Sequence, residues 1–288
     1  MSALSIKGLS KSYRGIKLQK VTALVGLDLE VASGEVFGFL GPNGAGKSTT
    51  IKSVMGLIRP TTGEVHVFGI PATDPASRCR IGYLPENPSF FDFMTAREYL
   101  TFVGSTYGMD RTTLKNESER VLELLDLTQA ADRPIHGYSK GMVQRLGIAQ
   151  VLVHDPDMYI LDEPMSGLDP IGRALVKDII RDLKQRGKTV FFSTHITADV
   201  EAVCDRVGVI AKGVLEAVDT VDNILEKGVT GYIIRSGCPD GPDQEKHVSR
   251  EELDAAVRQL LETKAVIKSI EPKRKDMESF FLSVVSRS

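Results

Sequence analysis

The chain has 288 residues, 42% hydrophobic and 26% charged, which suits one large domain, or a domain plus an appendage, around a full core. Its 36 Lys and Arg against 38 Asp and Glu leave a net charge of −2, which argues against a general nucleic-acid surface. No apolar stretch approaches the roughly 20 residues that span a bilayer, the first residues carry no hydrophobic signal region, and the expected location is the cytosol. Cys79, Cys204 and Cys238 are scattered without a Cys-x-x-Cys spacing. Buried or idle thiols in a reducing compartment are expected of them, and neither a disulfide framework nor a zinc site.

The first thirty-odd residues read as strands. Leu27, Leu29 and Val31 alternate with Asp28 and Glu30, the period-two pattern of a half-buried strand, up to a turn at Ser33 and Gly34. The apolar run VFGFL at 36–40 predicts a strand buried on both faces. GPNGAGKS follows at once, and KSTTIKSVMGL continues as helix. RPTTGEVHVFG and RIGYLPEN add two strands, the second broken at Pro85. From about Thr95 to Ala149 the pattern turns helical with no strand between, which predicts an inserted helical subdomain over about 89–150. Its first helix opens on a capping-box pair, Thr95 and Glu98, with Tyr99, Phe102 and Val103 as the expected buried face. Strand and helix then alternate as in a parallel α/β sheet: MYILDE, a helix over 171–186, TVFFST, a helix over 196–203, and RVGVIAKG. Beyond Val229 a looser stretch at 236–247 predicts a linker. A helix opened by Ser249 and Glu252, a strand at KAVIKSIEP and a helix at MESFFLSVV complete the chain. The expected division is a domain over 1–228 and a small α+β appendage over 229–288.

Four stretches carry chemistry. GPNGAGKS fits G-x-x-x-x-G-K-[ST] between a buried strand and a helix, where glycines let backbone N–H groups converge on phosphate oxygens. Lys47 would place a charge on the transferring phosphoryl group, and the Ser48 hydroxyl would ligate Mg²⁺. MYILDE ends a buried strand in two acids: Asp162 is the candidate for Mg²⁺, directly or through water, and Glu163 for polarising an attacking water. Taken alone, Asp-Glu after a strand is often only a solvated strand end. His195, in STH, lies at the edge where open parallel sheets bind ligands and is a candidate γ-phosphate sensor. In GYSKGMVQRL, Ser139 sits where an N-cap belongs, so a second helix start would present free N–H groups to an anion.

The Gly-rich loop, YLPEN, YSKGM, ILDEP, SGLD and STH occur in the order and spacing of an ABC transporter ATPase subunit, which the chain resembles over nearly its whole length. The tail SIEPKRKDMESFFLSVV is similar to the C-terminal end of nucleotide-binding subunits of ABC-2-type exporters. The resemblance implies a P-loop NTPase α/β fold of the ABC ATPase type: a RecA-like parallel-sheet core, an antiparallel β subdomain and the inserted helical subdomain. It implies ATP and Mg²⁺ as cofactors. Gly41, Pro42, Asn43, Gly44, Ala45, Gly46, Lys47, Ser48 and Thr49 would surround ATP, Tyr13 would stack on adenine, and Ser48, Glu86 and Asp162 would face Mg²⁺. Lys47, Glu163 and His195 would be catalytic.

It further implies that two such domains pack head to tail, so that Ser139, Gly141 and Asp169 of one chain complete the site of the other, in a homodimer or a heterodimer with a related subunit. A separate transmembrane permease would be the partner of an ATP-hydrolysing motor, exporter-like in its tail. The chain would lie peripherally on the cytoplasmic face of the membrane, touching neither nucleic acid nor the transported substrate. Three positions depart from the family pattern: Glu86 for the usual Gln, Lys140 for Gly and Met142 for Gln. In SFFDFMTAREYL at 89–100, the aromatics either form a socket for a partner helix or close the subdomain core with Phe90, Phe91 and Phe93. The alternative function is a soluble ABC ATPase acting in translation, DNA repair or cofactor assembly; a single ATPase domain without sustained heptads favours transport.

Overall fold

Alternation in the first strands produces one face buried and one wet. β1 (Ser2–Arg14) and β2 (Lys20–Ala32) pair antiparallel, with Leu27, Leu29 and Val31 buried and Asp28 and Glu30 exposed. The structure is a computed structural model that describes residues 2–14, 20–237, 244–249, 251–263, 265–274 and 276–286. β3 (Val36–Leu40), all buried, leads into α1 (Lys47–Val54); β4 (Thr62–Val67) and the short β5 (Ile70–Pro71) join the first two strands in a sheet ordered β2-β1-β4-β5.

β6 (Ile81–Leu84) precedes the helical insertion: α2 (Ala96–Thr106), α3 (Arg111–Leu124) and α4 (Lys140–Leu152). The capping box at Thr95 and Glu98 forms as expected, but the buried face of α2 is Ala96, Leu100 and Gly104. Phe102 is 48% exposed, and Tyr99 and Val103 are only partly covered. The reason is close helix packing. A Cβ on Gly104 would lie 2.2 Å from Leu114 of α3, so the small side of α2, not the aromatic side, meets its neighbour.

β7 (Met158–Asp162), α5 (Pro170–Gln185), β8 (Thr189–Thr194), α6 (Thr197–Val203), β9 (Arg206–Ala211) and β10 (Val214–Thr220) complete a six-stranded sheet ordered β10-β9-β3-β8-β7-β6. β6, β7, β8, β3 and β9 run parallel. Every residue of β7 and β8 is buried, the continuous apolar signature of a sheet covered on both faces. Cys204 packs against Gly38, where a Cβ would come within 2.8 Å of its sulfur; burial pushes its thiol well up, so it is inert. Cys79 is exposed, and Cys238 lies outside the described residues.

A second compact unit spans Asp219–Arg287. It contains α7 (Val221–Lys227), β11 (Val229–Gly237), β12 (Gln244–Val248), α8 (Leu253–Glu262), β13 (Val266–Arg274) and α9 (Met277–Val285), with a sheet ordered β12-β11-β13. Its start precedes the composition change at 229 because α7 packs with α9. The stretch expected as a linker at 236–247 belongs in part to β11 and β12, which pair antiparallel; residues 238–243 within it lie outside the described residues.

Candidate functional site

The cradle is a loop that only glycines allow. Gly46 is the N-cap of α1 at φ 115, with no side chain capping the helix. A Cβ there would lie 2.8 Å from Leu24 and 2.9 Å from the Ala23 carbonyl oxygen, and one on Gly41 would lie 2.5 Å from the Ile210 carbonyl oxygen. The loop therefore presses directly onto β2 and β9. Pro42, Asn43, Gly44, Gly46, Lys47, Ser48 and Thr49 line a cavity of about 230 Å³ together with Ala23, Glu86 and Glu163. Ala45 is buried beneath it, and the Gly41 N–H donates to Thr194 O at 3.2 Å.

Lys47 is buried, and its Nζ donates to Gly41 O at 2.7 Å and Pro42 O at 3.4 Å while standing 3.3 Å from Glu163 Oε1. Glu163 follows β7 at φ 50, a left-handed conformation that costs a non-glycine residue about 1–2 kcal/mol. Its N–H donates to Ser193, to the carbonyl oxygen at 3.2 Å and the hydroxyl at 3.1 Å. His195 Nδ1 lies 3.0 and 3.1 Å from the two Glu163 carboxylate oxygens. One carboxylate thus faces the cradle lysine and the histidine of the neighbouring strand end.

Asp162 is buried and accepts the Ser193 hydroxyl at 2.5 Å; it is not among the residues lining the cavity. Burial first, then the Asp162 carboxylate, push the Tyr83 phenol of β6 up to about 12, so it stays neutral beside that charge. Ser48 and Glu86 line the cavity, and a hydroxyl and a carboxylate are hard oxygen donors of the kind that suits Mg²⁺ shared with substrate phosphates. Among the described residues no cluster of three or more His, Cys, Asp or Glu could hold a metal by itself.

The remaining sequence candidates stand elsewhere. Tyr13, near the end of β1, is 39% exposed under the Lys11 ammonium at 5.1 Å and does not line the cavity. Ser139 is exposed and caps α4 by accepting from the Met142 N–H at 3.3 Å, with Gly141 in the first turn. Asp169 caps α5 by accepting from the Gly172 N–H at 2.7 Å. None of these three lines the cradle cavity of its own chain. Sequence reasoning missed Ala23, whose carbonyl meets the loop, and Ser193, whose hydroxyl bridges Asp162 and the Glu163 backbone. A hydroxyl inside an otherwise apolar strand was the available signal for Ser193. Of the aromatics after β6, Phe90 is partly buried edge-on to Tyr99, whereas Phe91 and Phe93 are 50% and 74% exposed and form an open cluster with Phe102.

Residues 24–166 match the family model described as ABC transporter. The chain is 42% identical over 239 residues to an uncharacterized ABC transporter ATP-binding protein, all4389, of Nostoc sp., covering 81% of this chain and 70% of that protein. It is 39% identical over 213 residues to the Nod factor export ATP-binding protein I of Rhizobium meliloti, covering 73% of this chain and 62% of that protein. Both relatives are therefore longer than the stretch this chain spans. Among solved structures it is similar to an ATP-binding subunit of an ABC transporter at 31% identity and TM-score 0.70, covering 77% of this chain and 91% of that one. Among the described residues no helix is long and apolar enough to cross a membrane.

Proposed function

The chain belongs to the ABC transporter family as an ATP-binding subunit, and from that premise we propose that it is the ATP-hydrolysing motor of an exporter, working as a dimer on a separate transmembrane protein. The observation that carries this is the carboxylate of Glu163 held between Lys47 and His195 at the mouth of a loop–helix cradle. In the proposed cycle the N–H groups of the Gly41–Thr49 loop and the uncapped start of α1 receive the phosphates, with Lys47 adding a point charge. Glu163 takes the proton of the attacking water, and His195 orients that carboxylate from its outer side. Mg²⁺, when bound, would be held by the Ser48 hydroxyl and the Glu86 carboxylate and would neutralise phosphate charge, with Asp162 behind.

Ser139 and Gly141 are proposed to act on the nucleotide of the second chain, because their helix start lies outside the cavity of their own. Tyr13 is proposed as the adenine platform, worth about 1–3 kcal/mol by stacking. Asp169 would link the two sites. The open aromatic cluster of Phe91, Phe93 and Phe102 supports a socket for a helix of the membrane partner. Export as the direction is supported by the Nod factor export relative, and a peripheral position on the cytoplasmic membrane face is proposed on the family likeness. The motor role is proposed for the larger unit, and the second unit, which begins at Asp219 and not at 229, is proposed as an appendage to it.

Purification from native membranes in mild detergent tests the assignment. A multi-spanning protein in stoichiometric amount is the expected companion. Ribosomal, DNA-repair or cofactor-assembly proteins with no membrane protein among them would overturn the transport role and favour the soluble alternative.

A further inference from the structure

Gln144, in the second turn of α4, is 4% exposed and gives its amide to the loop behind β7. Its Nε2 donates to Pro164 O at 2.9 Å and reaches Glu163 O at 3.4 Å. A second contact lies one turn earlier. A Cβ on Gly167 would meet Cε, Cδ and Cγ of Lys140 at 2.8, 3.0 and 3.2 Å, so the lysine stem lies along the bare glycine backbone. The Cβ position of Gly141 stands 3.7 Å from Gly167 O. The first two turns of α4 are thus seated on residues 163–168.

Glu163 depends on that loop. At φ 50 it holds a conformation that persists only where the surroundings impose it, with Ser193 on its N–H and Gln144 on its carbonyl side. We propose that Gln144 is a positioning residue for hydrolysis: by holding the carbonyls of Glu163 and Pro164 it keeps the left-handed turn that sets the Glu163 carboxylate between Lys47 and His195. Through the same amide that turn is tied to the helix start carrying Ser139 and Gly141. The proposal rests on the role of Glu163 given above.

Two acceptors converge on one donor group, so size alone cannot replace Gln144. Methionine fills the volume without an N–H, and glutamate sets a carboxylate against two carbonyl oxygens. The test measures ATP turnover against ATP concentration, together with melting temperature, for Gln144→Met and Gln144→Glu in the full chain, each with and without Glu163→Gln. The expected result is a loss of kcat of about 10- to 100-fold with KM nearly unchanged, the glutamate variant being the worse. In the Glu163→Gln background, Gln144→Met should add almost nothing, because its effect runs through the group already removed. If the methionine variant does not fold, the glutamate variant, equal in size to the parent residue, reads out the same kcat loss. Parent-like kcat in a folded variant would overturn the proposal, as would losses that multiply in the double variant. Turnover close to parent in Glu163→Gln alone would show instead that the underlying assignment of the base has failed.

Discussion

Two helices in this chain begin in ways that suit an anion, and they differ in what occupies their first turn. α1 starts from Gly46 at φ 115 with no side-chain cap, inside a cavity that its own loop walls. α4 starts from Ser139 in extended backbone, its hydroxyl engaged with the Met142 N–H, on an exposed surface away from that cavity. An uncapped start leaves its N–H groups and its partial positive charge of about half a unit to a ligand held by the same chain. A start that caps itself is stable alone, and under the dimer proposal it would serve a ligand brought from outside. If both starts receive phosphate as proposed, the difference explains how one chain carries the two without redundancy.

The largest effect should come from the group that only the α1 site contains. Glu163→Gln is expected to lower turnover by about 10²–10⁴ while ATP binding persists, measured by phosphate release and equilibrium binding. Glycine replacements should separate the two helix starts by sign. Gly46→Ala forces a Cβ against the Ala23 carbonyl at a strained φ, costing about 1–3 kcal/mol of stability by denaturant titration. Gly141→Ala meets nothing closer than 3.7 Å within a helix and should raise stability by about 0.5 kcal/mol, yet lower turnover by crowding the second chain. Ser139→Ala removes the cap and should cost about 1 kcal/mol.

The smallest effect concerns the residue just beyond the far end of α4. Burial holds the His154 pKa below its ordinary value, outweighing the Ile81 and Gln150 backbone groups that act in the opposite sense. The unfolded chain takes up a proton below about pH 6.5 that the folded chain refuses, so stability present above that pH declines as pH falls through it. Melting temperature should drop on acidification, and His154→Gln should flatten that part of the profile.

What the sequence made visible was local. The strand alternation at 27–31, the fully apolar β3, the cradle and both helix caps at Thr95 and Ser139 follow from neighbours a few residues apart, and the structure contains them. Strand ends single out Glu163 and His195, and β7 and β8 pair side by side, which brings the two together. What stayed hidden depends on contacts between distant segments. Leu114 reaches Gly104 and turns the aromatics of α2 outward; Ser193 and Gln144 reach Glu163 from residues 30 and 19 positions away. Periodicity reports which side of a helix is apolar, and the size of the neighbour decides which side is buried.

In the proposed dimer a working site needs the cradle of one chain and the Ser139 helix start of another. The most direct measurement mixes two inactive variants, Lys47→Ala and Ser139→Arg, and assays ATP turnover of each alone and of the mixture. Negligible turnover is expected from either variant, with partial return on mixing, since the mixed dimer joins one intact cradle to one intact helix start. Parent-like turnover from Ser139→Arg alone, or a mixture as inactive as its components, would contradict it.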